Sequence, residues 1–393
     1  MRLGFHYHIP AIEKNGRIHT MALQGLFLDS LAEKVESLAL FLHTPAAHEM
    51  AQMDYALNAV NLKCCWLGPH NSTPARLLRG RSLAQKVAGF CRQHRIELLL
   101  FRAPTPLLPL IAPKLAPQTR YAYLVVGDAG EHIHLLRQPW WRKFLIQQYI
   151  HWNESRQRAH APHAAALLTN SPTLLEKYRA LHRNPQLVRT TTLRSDDFYQ
   201  RDHSDFAQPC RILYTGRIEH NKGLTTLARA IVLLHPTGAD VELHVVGWAA
   251  PGDTTLEQTT QIFQKAGISK KLIFHGRKKA GPELFAHYRA ADLYVLPSQS
   301  PEGFPRTLWE AMAHSLPVVC TPVGAIPQLL RHGEEALFFE PGNADDLAGK
   351  IRHLIGSPDL RAHLTEQAWR AAQASTLETQ AGIILQHLHD GLA

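Results

Sequence analysis

Short runs of consecutive apolar residues alternate along this chain with longer segments whose apolar positions return every three or four residues. In the first half the runs fall at 38–42, 97–101, 121–126 and 165–169, each followed within a few residues by Gly, Asn, Asp or Pro. Helical periodicity occupies the ground between them, for example at 83–95 and 172–182. Strands that are apolar on both faces and alternate with helices predict a parallel sheet covered on each side. The stretch 194–209, RSDDFYQRDHSDFAQP, is polar and without period, and predicts a linker. The alternation then restarts at 211–214, 241–246, 272–274, 293–296 and 318–320, and amphipathic helices are predicted over about 344–355, 359–373 and 376–391. The fold class expected is therefore α/β, with two doubly wound, Rossmann-like domains facing across a cleft. The expected division is a first domain over 1–195, a linker over 196–209, a second domain over 210–372, and a C-terminal helix over 373–393 that packs back on the first domain. The cleft is the expected ligand site.

Composition excludes several classes. The chain has 393 residues, 45% hydrophobic and 19% charged, which is a globular balance rather than a disordered one. Its five Cys, at 64, 65, 91, 210 and 320, lack CxxC spacing, so neither a disulfide scaffold nor a zinc or redox site is expected, and a reducing, cytoplasmic compartment fits. No apolar run approaches the roughly 18 residues of a membrane span. Met1-Arg2 leads straight into a short strand-like segment at 3–6, so a secreted protein is not expected either.

Charge narrows the choice further. Of the 42 Lys and Arg, 24 lie in residues 1–200 with 13 Asp and Glu, so the first half is strongly basic and the second slightly acidic. Residues 135–158, LLRQPWWRKFLIQQYIHWNESRQR, interleave aromatic and basic side chains. Rings at headgroup depth with cations on lipid phosphates would suit a helix lying on an anionic membrane. The alternative is a core helix with buried rings. The half has no helix-turn-helix, RRM or zinc-finger pattern, so nucleic acid is not an expected partner.

The chemistry concentrates in the second half. In YTGRIEHNKGL, Gly216-Arg217 end a strand and Lys222-Gly223 open a helix, placing two cations beside a helix N-terminus where a diphosphate would be stabilised. Gly247 ends VVG, and Gly276-Arg277 end a third strand, LIFHGR; a missing side chain there lets a ligand approach the sheet edge. In SPEGFPRTLWEAMAHSLPVV, Glu302 precedes the loop Gly303-Phe304-Pro305, and Glu310 lies in the helix that follows. Carboxylates accept paired hydrogen bonds from vicinal sugar hydroxyls, so the two acids suit a ribose and a hexose, with the cations on the diphosphate between them.

These residues resemble the retaining glycosyltransferases of family 4, which have the GT-B fold. The likeness rests on GR-x4-KG at 216–223, VVG at 245–247, FHG at 274–276, AADLYVLPS to LPVV over 290–319, VGAIPQLL at 323–330 and FFEPGNADDLAGKI at 338–351, and it fades before 210. The resemblance implies that Arg217 and Lys222 neutralise the donor diphosphate, that Glu310 holds the ribose and that Glu302 binds donor-sugar hydroxyls. It implies too that the backbone N–H groups of Phe304 and Arg306 reach the phosphates; Pro305 has none. Ser315 stands where the family has Gly, Ala325 replaces the second Gly of a common pair, and Gln328 a frequent Glu. In the first domain the family's Gly-Gly loop is matched only by 8–16, with the single Gly16 as a donor contact.

Transfer with retention, from a nucleoside-diphosphate sugar to a saccharide or lipid-linked acceptor, then needs no metal and no cofactor, because the departing phosphate can take the acceptor proton and the cations stabilise its charge. From the first domain His132 is nominated as a catalytic residue, with Asp128 second, both after the strand at 121–126. Arg102 ends another strand and would meet an acidic acceptor, and Asn170-Ser171 would cap the helix at 172. His6-x-His8, His132-x-His134 and His160-x2-His163 lack a completing carboxylate or Cys, so zinc is not expected. The rivals are a GT-B epimerase or phosphorylase and a non-enzymatic protein that binds nucleic acid, membrane or a partner.

Overall fold

The computed structural model of the chain describes residues 1–69, 76, 78–127, 139–201, 206–250 and 252–392. They form two compact units, one of Met1–Thr192 with Leu377–Ala393, the other of Leu193–Thr376. No helix among the described residues is long and apolar enough to cross a membrane.

In the first unit, β1 (Arg2–Lys14) is flanked by β3 (Ser37–Thr44) and β6 (Leu98–Ala103). Beyond them lie β5 (Leu62–Pro69) on one side and β7 (Arg120–Val125), β8 (Ala166–Thr169) and β9 (Gln186–Leu187) on the other, all parallel. Successive residues alternate between two apolar layers, as a period of two demands: Leu98 and Leu100 join Leu3, Phe5, Leu38 and Leu40, while Leu99 and Phe101 join Phe41 and Tyr123. The first layer is completed by α1 (Ala22–Ala32) and by Ala381, Ile384, Leu385 and Leu388 of the C-terminal helix Leu377–Asp390. The second is closed by α2 (Gly80–Gln93) and the helix Pro172–Arg179, whose first turn is capped by Ser171, Leu174 N–H donating to its Oγ at 3.3 Å.

Two sequence expectations change here. The first strand does not stop at residue 6; it runs to Lys14 and returns as an antiparallel hairpin through β2 (Arg17–Thr20), with β4 (Tyr55–Ala56) beyond. Asn15 and Gly16 both take positive φ, as a two-residue hairpin requires. Gly16 thus occupies a hairpin turn. Nor is 196–209 a free connection: Tyr199 N–H donates to Ala313 O at 2.9 Å, the Arg201 guanidinium donates to Tyr288 O and His314 O, and Phe206 packs into the second unit's core under Arg361.

The second unit is built on six parallel strands in the order β12-β11-β10-β13-β14-β15, which are Leu272–Gly276, Val241–Ala249, Cys210–Ile218, Leu293–Leu296, Val318–Cys320 and Leu337–Phe338. Ile212, Tyr214, Leu293 and Val295 face one layer with the helices Leu224–Leu234 and Ala344–Gly356. Leu213, Tyr294 and Leu296 face the other with Tyr288, Trp309 and Met312. Chain order 3-2-1-4-5-6 across the sheet makes the β10/β13 boundary the point where successive connections diverge, and in sheets of this kind ligands bind outside the carboxyl ends at that point. Ser315, where the resembling family has Gly, takes φ 52, and its Oγ donates to Tyr199 O at 3.0 Å, a long-range bond that helps hold the left-handed backbone.

Each unit carries a deeply buried histidine. Burial, with His43 alongside, pushes His6 down to about 3 between Phe41 and Phe101; burial likewise pushes His314 down to about 4. Both are neutral when folded and become protonated in an unfolded chain below about pH 6.5. Stability is therefore full above that pH and falls as pH drops toward the folded values. Between about pH 7.5 and about pH 5 each histidine is expected to remove about 2 kcal/mol from its unit. Urea titrations at the two pH values check this: the first unit's loss should largely vanish in His6→Leu, and a pH slope untouched by that substitution would contradict it.

Candidate functional site

The carboxyl ends of β10, β11 and β12 are kept bare by glycine. Gly216 and Gly247 face each other across the β10/β11 register, and a Cβ on Gly247 would lie 1.9 Å from Gly216 O. Gly216 has φ 146 and Gly276, beside Val246, has φ 70, so L side chains are disfavoured at both. Arg277 lies over the half-exposed ring of Trp248, 5.2 Å from its centroid, a stacking partner that the sequence reading did not single out.

From β10 the chain makes one 3-10 turn, His220–Lys222, and enters the helix Leu224–Leu234 through Gly223 at φ 72. A Cβ on Gly223 would lie 1.9 Å from Pro297 O, so the turn sits directly on the loop leaving β13. Gln299 N–H donates to Asn221 O at 2.8 Å and Asn221 Nδ2 to Ser300 Oγ at 3.3 Å, locking the two loops together. This contact delivers Lys222 Nζ to Glu302 Oε1 at 2.7 Å, with side chains 19% and 14% exposed. Ser298 Oγ donates to the same oxygen at 2.7 Å. Behind Glu302, Gly324 at φ 60 has no room for a Cβ, which would fall 2.4 Å from Glu302 N and O, and Ala325 N–H donates to Glu302 O.

Glu310 is placed differently. It lies inside the helix Arg306–Ala313, only 4% exposed, and accepts from the Tyr288 hydroxyl at 2.8 Å. Burial, with the Glu310 carboxylate beside it, holds that hydroxyl far above its ordinary value, so it stays protonated and donates. Its single proton being spent on Glu310, the Thr215 hydroxyl 2.7 Å away must donate to Tyr288, and Tyr294 OH to Thr215 at 3.2 Å. A buried relay therefore ties the Glu310 carboxylate to the end of β10. None of its three hydroxyl residues stands out in the sequence, since Tyr and Thr in apolar runs look like core.

The structure brings Lys222 and Glu302 together but turns Arg217 elsewhere: its side chain is 57% exposed and pairs with Glu219 at 2.8 Å. Gly303 is exposed with open space where a Cβ would be, Phe304 packs on Trp309 with ring centroids 4.2 Å apart, and Pro305 caps the helix that Arg306 begins. His132 and Asp128 lie outside the described residues, as do residues 135–138 of the aromatic stretch. Arg102 sits over the Tyr7 ring at 4.6 Å, and burial lowers its pKa. In the first unit a cavity of about 200 Å3 opens at the carboxyl ends of β6 and β7, lined by His8, Arg76, Gly127, Tyr149, Asn153 and Lys177.

Residues 196–370 match the family model for glycosyl transferases group 1. A D-inositol 3-phosphate glycosyltransferase of Arthrobacter sp. (strain FB24) is 30% identical over 178 residues, 45% of this chain and 42% of the relative. The lipopolysaccharide core biosynthesis mannosyltransferase LpsB of Rhizobium meliloti (strain 1021) is 36% identical over 153 residues, 38% of this chain and 41% of the relative. The chain thus spans less than half the length of the curated relatives it matches. In three dimensions it is similar along nearly its whole length, 99% of this chain and 100% of the other, to Anabaena Alr3699/HepE solved with UDP, at TM-score 0.71 and 18% identity. That likeness, with the strand orders above, shows the GT-B fold of two Rossmann-like units, the second of which matches the glycosyl transferases group 1.

Proposed function

We propose that this chain is a glycosyltransferase that moves a sugar from a nucleoside-diphosphate sugar to a saccharide or lipid-linked acceptor, with retention of anomeric configuration and without a metal, in polysaccharide or glycoconjugate assembly on the cytoplasmic side of a membrane. One observation carries the reading: the Lys222–Glu302 pair at the β10/β13 divergence, beside three strand ends cleared by Gly216, Gly247 and Gly276. The family model for glycosyl transferases group 1 matches over the same unit, relatives named for glycosyl transfer match part of the chain, and HepE, of the same fold, has been solved with UDP and with UDP-glucose.

In this reading the donor diphosphate lies against Lys222 and the amides at the start of the helix Arg306–Ala313, where the helix dipole adds to the lysine charge. Arg217 joins by leaving Glu219 for the phosphate. Glu302, anchored through Oε1 by Lys222 and Ser298, offers its other oxygen to donor-sugar hydroxyls. Glu310, oriented by the Tyr288 hydroxyl, takes the ribose hydroxyls. Bond breaking places negative charge on the leaving phosphate, and fixed cations there lower the barrier by several kcal/mol. The acceptor proton passes to that phosphate, and the cavity around Tyr149 and Asn153 receives the acceptor.

Calorimetric titration tests the donor half. UDP or GDP should bind with at least tenfold higher affinity than the corresponding monophosphate, and Arg217→Ala should erase most of the difference, about 1–2 kcal/mol. Equal affinity for the mono- and diphosphate of every base would remove the assignment. Screening sugar nucleotides for transfer, against epimerised donor or sugar 1-phosphate as products, separates transfer from the epimerase and phosphorylase alternatives.

A further inference from the structure

The helix Trp140–His160 is inside out. Its row toward the sheet carries Asn153 and Gln157, both buried; Gln157 Oε1 accepts from Thr105 N–H at 3.1 Å, and Tyr123 OH donates to Gln157 O at 2.7 Å. Its outward half carries the large apolar side chains instead: Trp140, Trp141, Phe144, Leu145 and Trp152 are 82%, 52%, 54%, 57% and 47% exposed. Residues 140 and 144, and 141, 145 and 152, stand in neighbouring rows at helical spacing, so the five make one stripe about 20 Å long. Water contact at five such side chains is unfavourable, and a stripe of this kind marks an interaction surface rather than a core element turned by chance.

We propose that this stripe docks the protein onto an anionic lipid surface. Charge decides the occupant. Arg142 and Lys143 directly follow the paired tryptophans, the Arg156 guanidinium lies 4.7 Å from the Trp152 ring centroid, and the unit around the helix is the strongly basic half of the chain. Tryptophan rings sit at headgroup depth and the flanking cations meet lipid phosphates, each adding to the other. A second copy of the chain would bring the same cations face to face. The inner side of the same helix supplies Tyr149 and Asn153 to the first unit's cavity, so docking sets that cavity within one helix diameter of the headgroups. The docking itself does not depend on the transfer reading, since it needs no donor.

Sedimentation with vesicles tests it on the full chain. Vesicles of phosphatidylcholine mixed with phosphatidylglycerol should carry the protein down and shift its tryptophan emission to the blue; phosphatidylcholine alone should bind far less. Trp140→Ser, Trp141→Ser and Phe144→Ser together should weaken binding by at least ~10-fold with the unfolding midpoint unchanged. Arg142→Glu with Arg156→Glu, which leaves the rings in place, should lower it by a comparable factor and flatten its salt dependence. No binding at low salt, or binding that both variants retain, overturns the proposal. So does a dimer in the absence of lipid that the triple substitution dissolves, because the stripe would then face another copy.

Discussion

Lys222→Ala is expected to lower sugar transfer by at least ~100-fold while leaving the second unit folded. The ammonium group is the cation that the tertiary structure delivers to the divergence of β10 and β13, and it is held by a carboxylate that is itself fixed by Ser298. Its loss leaves the Glu302 carboxylate with the Ser298 hydroxyl and partial solvent contact, so stability should fall by only about 1 kcal/mol. The informative companion is the double variant Lys222→Ala/Glu302→Gln. If the lysine served only to neutralise Glu302, removing both charges would restore affinity for UDP, which has no donor sugar for Glu302 to hold; if it meets the donor diphosphate, the double variant binds UDP as weakly as the single one. Calorimetry with UDP separates the outcomes, and near-normal turnover in Lys222→Ala would remove Lys222 from the mechanism.

The second large effect is steric. Gly223→Ala places a methyl group 1.9 Å from Pro297 O, a backbone atom that cannot swing aside, at a φ of 72 that alanine disfavours by itself. Either the turn or the loop leaving β13 must move, and both hold the Lys222–Glu302 pair. The expected cost is at least ~3 kcal/mol of unfolding free energy in the second unit, with donor affinity lost in whatever folded protein remains. Urea unfolding and calorimetry on the same preparation measure the two losses. Gly303→Ala is the control, since its Cβ would point into open space: it should leave stability within ~0.5 kcal/mol. A Gly223→Ala protein as stable as the parent would mean that the close approach to Pro297 is not a constraint.

The parallel, doubly covered sheets were legible because their strands carry apolar residues at consecutive positions. Leu98 and Leu99 go to opposite layers, and only a sheet covered on both faces uses both. The first hairpin is legible in Asn15-Gly16, a strong two-residue turn signal, although the apolar residues at 3–6 by themselves predict only a short strand followed by a loop over 8–16. The stretch 194–209 looked like a linker because its contacts with Ala313, Tyr288 and His314 are made through backbone groups and one guanidinium, which leave no apolar period to read.

For the candidate site, sequence by itself determined the inventory. It named the glycines that clear the strand ends, the two cations after the first strand of the second unit, and the two acids around the loop 303–305. Which of these meet was decided only by the tertiary structure. Lys222 and Glu302 are eighty residues apart in the chain and touch because Gly223 lets one turn rest on Pro297. Arg217 goes to its neighbour Glu219 instead, and Glu310 sinks onto Tyr288, a residue whose polar end no pattern of spacing announces. The same division holds for the helix Trp140–His160: its composition is plain in the sequence, but whether its rings face the core or the solvent depends on which row the sheet accepts. Gln157 settled that by bonding inward, with Asn153 buried on the same side. Residue types and spacing follow from local chemistry, whereas long-range pairing follows from which backbone groups can approach closely enough to bring two side chains within reach of each other.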